Sequence, residues 1–149
     1  MRPVRVRAPW RPPLRSSLLL AGLAAAALLP LSAQAAVYKA NGCQVTVPDG
    51  WVTSRTRVAS PDKKLWASLL QAGSAAEVVQ IDTSLQATKV SEDERIILMV
   101  STASFGGLTN RQYHAITKTA PSCAADVTSP AGPEEATARQ IALTVGVAK

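Results

Sequence analysis

Few residues of this sequence stand at spacings that could perform catalysis. Ser60 and Lys63 form a Ser-x-x-Lys pattern, in which a lysine can activate a serine nucleophile. The Ser-Asp-Asn and Lys-Thr-Gly motifs that accompany this pattern in penicillin-recognising enzymes do not follow, so we interpret Ser60 as a cap or turn residue. Spacing alone reveals no set of nucleophile, base and orienting acid. The sequence therefore predicts no catalytic residue, and a protein that is not an enzyme.

The titratable residues do not form a metal-binding pattern. Glu92, Asp93 and Glu94 are adjacent and cannot all face one ion, and the chain has a single histidine. We predict no metal and no cofactor, and a solvated turn at these acidic residues. His114 alternates with mostly polar neighbours on one face of a predicted strand, namely Gln112, Ile116 and Lys118. This face predicts a surface histidine, which could titrate in a pH-dependent contact.

Cys43 and Cys123 are the only cysteines, and we predict that they form one disulfide. In the chain-entropy model, closing a loop of roughly 80 residues stabilises a domain by about 4 to 5 kcal/mol. The alternative is a cysteine nucleophile with His114 as its base. A reduced catalytic thiol beside a second cysteine would need a dedicated reductant in an oxidising compartment, which favours the disulfide.

Residues 1–35 have the organisation of a cleaved signal peptide. An arginine-rich segment, residues 1–15, precedes an apolar one, residues 16–31, and Ala33-x-Ala35 matches the signal peptidase rule. We predict cleavage after Ala35 by the Sec route, with export to the periplasm or secretion. The alternative is an uncleaved membrane anchor, but the apolar run is shorter than the roughly 20 residues that span a bilayer.

Removing this leader changes the charge balance of the chain. The 149-residue precursor carries a net charge of +6, and the leader contains five arginines and no acidic residue. The remaining residues, 36–149, hold 11 basic and 10 acidic side chains. The mature protein is therefore nearly neutral, which argues against a nucleic-acid partner. Its length predicts a single domain with no membrane span after cleavage.

Residue patterning in the mature chain predicts an α+β domain, a small antiparallel sheet with two to three helices. We expect residues 36–42 to be a lead-in and residues 121–133 a Pro/Ser/Gly loop. Residues 60–72 fit a helix or a strand equally well. The predicted strands are residues 43–47, 51–58, 95–104 and 111–120, the last two forming a hairpin, and the predicted helices are residues 74–87 and 134–145.

Two surface features are candidates for binding. Phe105-Gly106-Gly107-Leu108 would place two apolar side chains at the tip of the hairpin, where a recognition loop can lie; alternatively, both side chains fold back onto the domain. Four residues form a basic cluster that could meet an acidic partner, or simply be a solvated face: Arg55, Arg57, Lys63 and Lys64. We expect Trp51 and Trp66 to lie in the core; either one, if exposed, is a candidate binding hot spot.

Two segments resemble the Mog1/PsbP-like fold of small exported bacterial proteins of the DcrB type. The first is Val45-Thr46-Val47-Pro48-Asp49-Gly50-Trp51, and the second is Tyr113 to Pro121, which precedes a helix containing Ala138, Ile141 and Val145. The resemblance implies an α/β sandwich whose members mostly act as accessory or binding proteins. It transfers no functional residue, and the predicted disulfide departs from the pattern.

Together these observations favour an exported, non-catalytic binding or accessory protein of the bacterial cell envelope. Such a protein could be an inhibitor or immunity-type protein that acts by contact with another envelope protein. One alternative is a small exported hydrolase with an active site that cannot be recognised from residue spacing. The other is a domain that binds a lipid or another small ligand.

Overall fold

Ten strands and two helices occupy residues 35–149, the part of the chain that the computed structural model describes. The predicted leader, apart from Ala35, lies outside the described residues. The strands are β1 (Ala35–Ala40), β2 (Cys43–Pro48), β3 (Val52–Thr53), β4 (Val58–Ala59), β5 (Trp66–Ala72), β6 (Thr88–Glu92), β7 (Ile96–Phe105), β8 (Leu108–Thr117), β9 (Ser122–Pro130) and β10 (Gly146–Val147). The helices are α1 (Ala75–Ser84) and α2 (Glu135–Ala142).

The strands form two antiparallel sheets. The smaller has the order β1-β2-β10 and the larger the order β3-β4-β5-β9-β8-β7-β6. Strand β9 is therefore central, hydrogen-bonded to β5 on one side and to β8 on the other. The architecture is a β-rich α+β sandwich, which confirms the predicted α+β fold class. It contains two helices, where two to three were predicted.

The main core fills the space between the two sheets and helix α2. Alternate residues of the large sheet point into it, including Leu98, Ala115 and Val127, because successive side chains of a strand face opposite sides. Helix α2 contributes Ala138, Ile141 and Ala142. Glu135, in its first turn, accepts a 2.9 Å hydrogen bond from the Tyr113 hydroxyl and so ties the helix to β8.

Helix α1 covers part of the opposite face of the large sheet. Its N-cap is Ser74, whose hydroxyl accepts a hydrogen bond from the backbone N–H of Glu77. Val78 packs in a second, smaller core with Met99, Ile116 and Ala124. The other fully buried residue of this helix is Asp82, so an acid lies where an apolar side chain would be expected. This helix creates the site described below.

The predicted disulfide is present: Cys43 and Cys123 are bonded, with Cα atoms 5.7 Å apart and no exposed surface. It joins the first residue of β2 to β9 and so links the small sheet to the centre of the large one. A disulfide favours an oxidising, extracytoplasmic compartment. Between residues 35 and 149, no helix has the length and apolar character needed to cross a bilayer.

Both predicted helices, the strand at residues 43–47 and the hairpin are confirmed, and the ambiguous residues 60–72 supply a strand, β5. Three predictions are wrong. The lead-in at residues 36–42 lies mostly in strand β1. Residues 51–58 form two short strands, because a turn at Ser54, whose N–H binds the carbonyl of Arg57, divides them. Residues 121–133 are mostly strand β9, whose small residues pair with strands on both sides.

Candidate functional site

A chain of three polar side chains crosses neighbouring strands beneath the end of helix α1. Nε2 of His114 on β8 lies 3.0 Å from the Oγ of Ser101 on β7. Nδ1 of the same ring lies 2.8 Å from Oδ1 of Asp126 on β9. Residues that pair directly across strands share a face of the sheet. His114 pairs with Asp126 on one side and with Met99 on the other. Ser101 is two residues beyond Met99 on β7 and therefore lies on the same face. Sheet register therefore brings the three groups together.

The carboxylate of Asp126 determines which groups donate and which accept hydrogen bonds among these three side chains. An ionised Asp126 can only accept, so Nδ1 of His114 must carry a proton and donate it. In the neutral imidazole Nε2 is then an acceptor, and the hydroxyl of Ser101 must donate to it. The arrangement places a lone pair of the imidazole on a serine hydroxyl proton, with an acid fixing the tautomer. This is the hydrogen-bond logic of a nucleophile, base and orienting acid.

A second carboxylate approaches the same nitrogen from helix α1. Oδ1 of Asp82 lies 3.5 Å from Nδ1 of His114, and the two side chains are 7% and 4% exposed. The side chain of Asp126 is 32% exposed, so the outer carboxylate meets solvent and the inner one does not. The other oxygen of Asp82, Oδ2, is buried and has no hydrogen-bond partner among the described residues. The imidazole of His114 therefore lies close to two carboxylates, Asp126 and Asp82.

These contacts shift the pKa values of the buried groups. Burial alone would lower the pKa of His114, but the hydrogen bond and charge of Asp126, together with the charge of Asp82, raise it above its ordinary value. Desolvation raises the pKa of Asp82, against the opposing attraction of the imidazolium. The site therefore favours a protonated His114, compensated by the two carboxylates.

Beyond Ser101 the same face of the sheet is open. Gln112 lies directly opposite Ser101 in the register and is half-buried, and Ala103 and Asn110 form the next pair. Helix α1 leaves this pair uncovered, since Ala103 is exposed and Asn110 is partly exposed. With Asp82 included, the polar side chains thus run from a buried carboxylate on helix α1, through His114, to the half-exposed Ser101.

The hairpin tip ends this open face. Phe105 and Leu108 are the last pair of β7 and β8, and they are 88% and 71% exposed. Only Gly106 and Gly107 connect the strands, with φ values of +58° and +79°. Two positive φ values are what a type I′ turn requires, which is why glycines occupy both positions. The alternative that these side chains fold back onto the domain is therefore wrong.

The predicted basic cluster lies in the loops before and after β4, at the other edge of the sheet, and all four of its residues are exposed. The guanidinium of Arg57 lies 5.5 Å from the ring centroid of Trp66, which is only partly buried, contrary to the predicted core position. These two side chains and Lys63 border a groove of about 260 Å³. Lys64 instead approaches Glu134 at 3.8 Å, and Arg55 does not line the groove. Trp51 packs against the main core, also only partly buried.

Other residues singled out from the sequence have structural roles. The hydroxyl of Ser60 donates to Asp62 at 2.6 Å and accepts from the N–H of Leu65, so it organises a turn, as predicted. Glu92 pairs with Lys89 and Lys118, while Asp93 accepts backbone hydrogen bonds. Within residues 35–149 no group of three or more His, Cys, Asp or Glu side chains is arranged to hold a metal ion.

The surface position predicted for His114 is wrong, because helix α1 covers that part of the face and leaves the residue 3% exposed. Sequence analysis also did not identify its partners Ser101, Asp126 and Asp82. One signal was visible: Asp82 is an acid on the otherwise apolar face of the predicted helix. Pairing between the three strands, which brings them together, is not encoded in local spacing.

Comparisons with known proteins bear on the fold alone. The chain is similar in structure to a protein of Bacteroides thetaiotaomicron VPI-5482 whose crystal structure was determined at 1.50 Å resolution, with a TM-score of 0.51 and 13% sequence identity. The match covers 78% of this chain and 49% of the other, so this chain spans about half of that protein's length. Searches of family models and of curated proteins gave no match, and the resemblance to the Mog1/PsbP-like fold gains no support from them.

Proposed function

We propose that this protein is an exported binding protein of the cell envelope that contacts another envelope protein through the tip of the β7–β8 hairpin. The observation that carries the proposal is the exposure of Phe105 and Leu108, 88% and 71%, as a matched pair on a two-residue turn. Burying a large apolar side chain contributes about 1.5 to 3 kcal/mol, so this pair offers substantial free energy to a partner. The disulfide supports a location outside the cytoplasm.

The tip extends beyond the neighbouring strands. Pairing of β6 with β7 ends at Val100, and pairing of β9 with β8 begins at Asn110. Past these points one backbone hydrogen bond, from the N–H of Ala131 to the carbonyl of Thr109, joins the hairpin to the segment after β9, and residues 104–109 are all exposed. A short turn fixes the tip, so its two apolar side chains are held in place before binding, which reduces the entropy lost on association. The complementary partner presents an apolar pocket wide enough for a phenyl ring.

Site-specific photo-cross-linking in the envelope tests this proposal. A photoreactive amino acid at position 105 or 108 should cross-link to the same protein, whereas one at Leu85, the C-cap of helix α1, which is 65% exposed, should not. Excess purified wild-type protein should compete with the cross-link, and a Phe105→Asp competitor should not. Equal cross-linking from positions 105 and 85, or competition by Phe105→Asp, would overturn the proposal.

A further inference from the structure

The polar side chains around His114 include more hydrogen-bond partners than are needed to satisfy a buried histidine. Asp126 at 2.8 Å already supplies a partner for Nδ1, and Asp82 supplies a second carboxylate. Nε2 nevertheless points away from helix α1, to the hydroxyl of Ser101 at 3.0 Å. Ser101 is half-exposed at the start of the open face, so a reactant could approach this hydroxyl from solvent. The geometry aligns a basic nitrogen with an accessible serine.

We propose that Ser101, His114 and Asp126 act as nucleophile, general base and orienting acid in the hydrolysis of carboxylic esters that carry an apolar acyl chain. This activity goes beyond the binding function proposed above, and its three reacting groups are not part of the hairpin tip. It requires no metal or cofactor, because water is the only co-reactant.

The reaction balances with these groups. Oγ of Ser101 forms a bond to the carbonyl carbon while its proton passes to Nε2 of His114. The bond between the carbonyl carbon and the alcohol oxygen then breaks, and the alcohol leaves with that proton. Water attacks the acyl-serine and gives a proton to Nε2, which returns it to Oγ as the acid leaves. The net change is ester plus water to acid plus alcohol.

Two neighbouring carboxylates stabilise the imidazolium that forms in each step. Asp126 holds the ring by its 2.8 Å contact with Nδ1, and the buried Asp82 adds negative charge at 3.5 Å. Neither touches a substrate on the open face, so both are positioning residues. Desolvation lowers the pKa of His114, but the hydrogen bond and charge of Asp126 and the charge of Asp82 outweigh it and raise the pKa above its ordinary value. The neutral form that acts as a base therefore forms at a higher pH than in a free imidazole.

Gln112 is the candidate donor to the oxyanion. It lies directly opposite Ser101 on the same face, and directly opposed side chains have Cβ atoms about 4.5 to 5.5 Å apart. Its amide N–H groups can therefore reach an oxygen on a carbon bonded to Oγ of Ser101. Losing one such donor lowers a rate by about 10² to 10³ in other hydrolases.

The substrate class follows from what lies beyond Ser101 on this face. Alternation along β7 places Ala103 and then Phe105 on the same side, with Leu108 opposite Phe105. An acyl chain bonded to Oγ of Ser101 would extend along these apolar side chains. The face is open, so we expect slow turnover of reactive esters.

A fluorophosphonate probe and p-nitrophenyl butyrate test the activity with the protein purified in its disulfide-bonded form. The probe should modify Ser101, forming an Oγ–P bond and releasing fluoride, as located by peptide mass spectrometry. Ser101→Ala should abolish labelling and hydrolysis. Ser104→Ala is the matched control, since Ser104 is an exposed serine of the same strand, and it should leave both unchanged. His114→Gln should slow both by about 100-fold or more.

The pH profile separates catalysis from a structural role of the buried groups. In the wild-type protein the labelling rate should rise with pH as His114 loses its proton, with a midpoint above 6.5. Asp126→Asn, with folding verified by circular dichroism, should lower both this midpoint and the rate. Absence of probe at Ser101 in the folded wild-type protein, or labelling of Ser104 as fast as Ser101, would overturn the proposal. Cross-linking from position 105 is independent of either result.

Discussion

Oδ1 of Asp82 lies 3.5 Å from Nδ1 of His114 and connects helix α1 to the centre of the seven-stranded sheet through two titratable side chains with almost no exposed surface, which form an ion pair when His114 is protonated. Among the residues of α1, only Asp82 and Val78 are fully buried. One of the two fully buried side chains of this helix is therefore polar, beside an apolar contact made by Val78. A buried ion pair is costly to break, because removing one partner leaves the other charge without compensation.

We expect His114→Ala to lower the free energy of unfolding. The change leaves two carboxylates, Asp82 and Asp126, facing a cavity with no cation between them. Breaking a fully buried pair costs about 3 to 5 kcal/mol, and the partial exposure of Asp126 reduces our expected loss to about 2 to 3 kcal/mol. Urea denaturation followed by circular dichroism measures the loss.

A triple variant serves as the control for this prediction. His114→Ala combined with Asp82→Asn and Asp126→Asn lacks the uncompensated charges and should recover at least half of the lost stability. If the single change costs less than about 1 kcal/mol, or if the triple variant is less stable than the single one, the electrostatic explanation is wrong.

The pH dependence of stability should carry the signature of the same histidine. Because the folded-state pKa of His114 is raised, the protein binds a proton more tightly when folded, and the stability from this group is fully present below the unfolded pKa near 6.5. It is lost as the pH rises through the folded pKa. Wild-type stability should therefore fall from about pH 6.5 upward more steeply than that of His114→Gln.

Nuclear magnetic resonance can measure this pKa directly. His114 is the only histidine in the chain, so its Hε1 resonance is unambiguous. We expect a titration midpoint above 6.5 in the wild-type protein and a lower midpoint in Asp126→Asn. A wild-type midpoint at or below 6.5 would show that burial outweighs the two carboxylates.

Local patterns predicted the elements whose formation depends on neighbouring residues. The apolar run at residues 95–104 became strand β7, and Ser74 became the N-cap of α1. Gly106 and Gly107 gave a two-residue turn because no other residue adopts two successive positive φ values as readily. These outcomes depend on backbone preferences and on alternation, both of which are local.

Strand β9 and the site at His114 could not be predicted in this way. Ser122–Pro130 has the small, polar composition of a loop, yet it is the central strand because β5 and β8 satisfy its backbone on both sides. The sequence predicts an exposed His114 because its strand face carries Gln112 and Lys118, but the packing of helix α1 buries it. Asp82 was the available signal, since it interrupts the apolar face of that helix.

Reduction of the disulfide should destabilise the protein by up to about 4 to 5 kcal/mol, the chain-entropy value for a loop of this size. The Cys43–Cys123 bond spans 80 residues and is fully buried. A Cys43→Ala/Cys123→Ala variant compared with the wild-type protein in urea measures the loss. Thiol titration of the denatured wild-type protein should find no free cysteine, and one reactive thiol per chain would contradict the bond.

Changing the hairpin turn should test how the tip is held. Gly106 has a φ of +58°, and a Cβ there would meet no other atom within 4 Å, so only backbone strain opposes a side chain. Gly106→Val should therefore cost about 1 to 3 kcal/mol, while Gly106→Asn, which tolerates this conformation, should cost less. Equal losses in urea denaturation for the two variants would show that the turn conformation is not what matters.

Acid should weaken the protein through Glu92. Its carboxylate oxygens lie 2.7 Å from Nζ of Lys89 and 2.7 Å from Nζ of Lys118. The side-chain hydrogen bond from Lys118 and then that from Lys89 lower the pKa of Glu92 from 4.5 to about 2. The stability from this group is therefore present above about pH 4.5 and is lost as the pH falls through about 2. Glu92→Gln should remove that part of the acid dependence, whereas Glu94→Gln, a neighbouring exposed acid with no salt bridge among residues 35–149, should not.

Side-chain titration by nuclear magnetic resonance gives the pKa of Glu92, and 1 M NaCl should shift it back toward 4.5, because salt screens exposed pairs. A pKa near 4.5 at low salt would mean that the two lysines do not hold this carboxylate in solution.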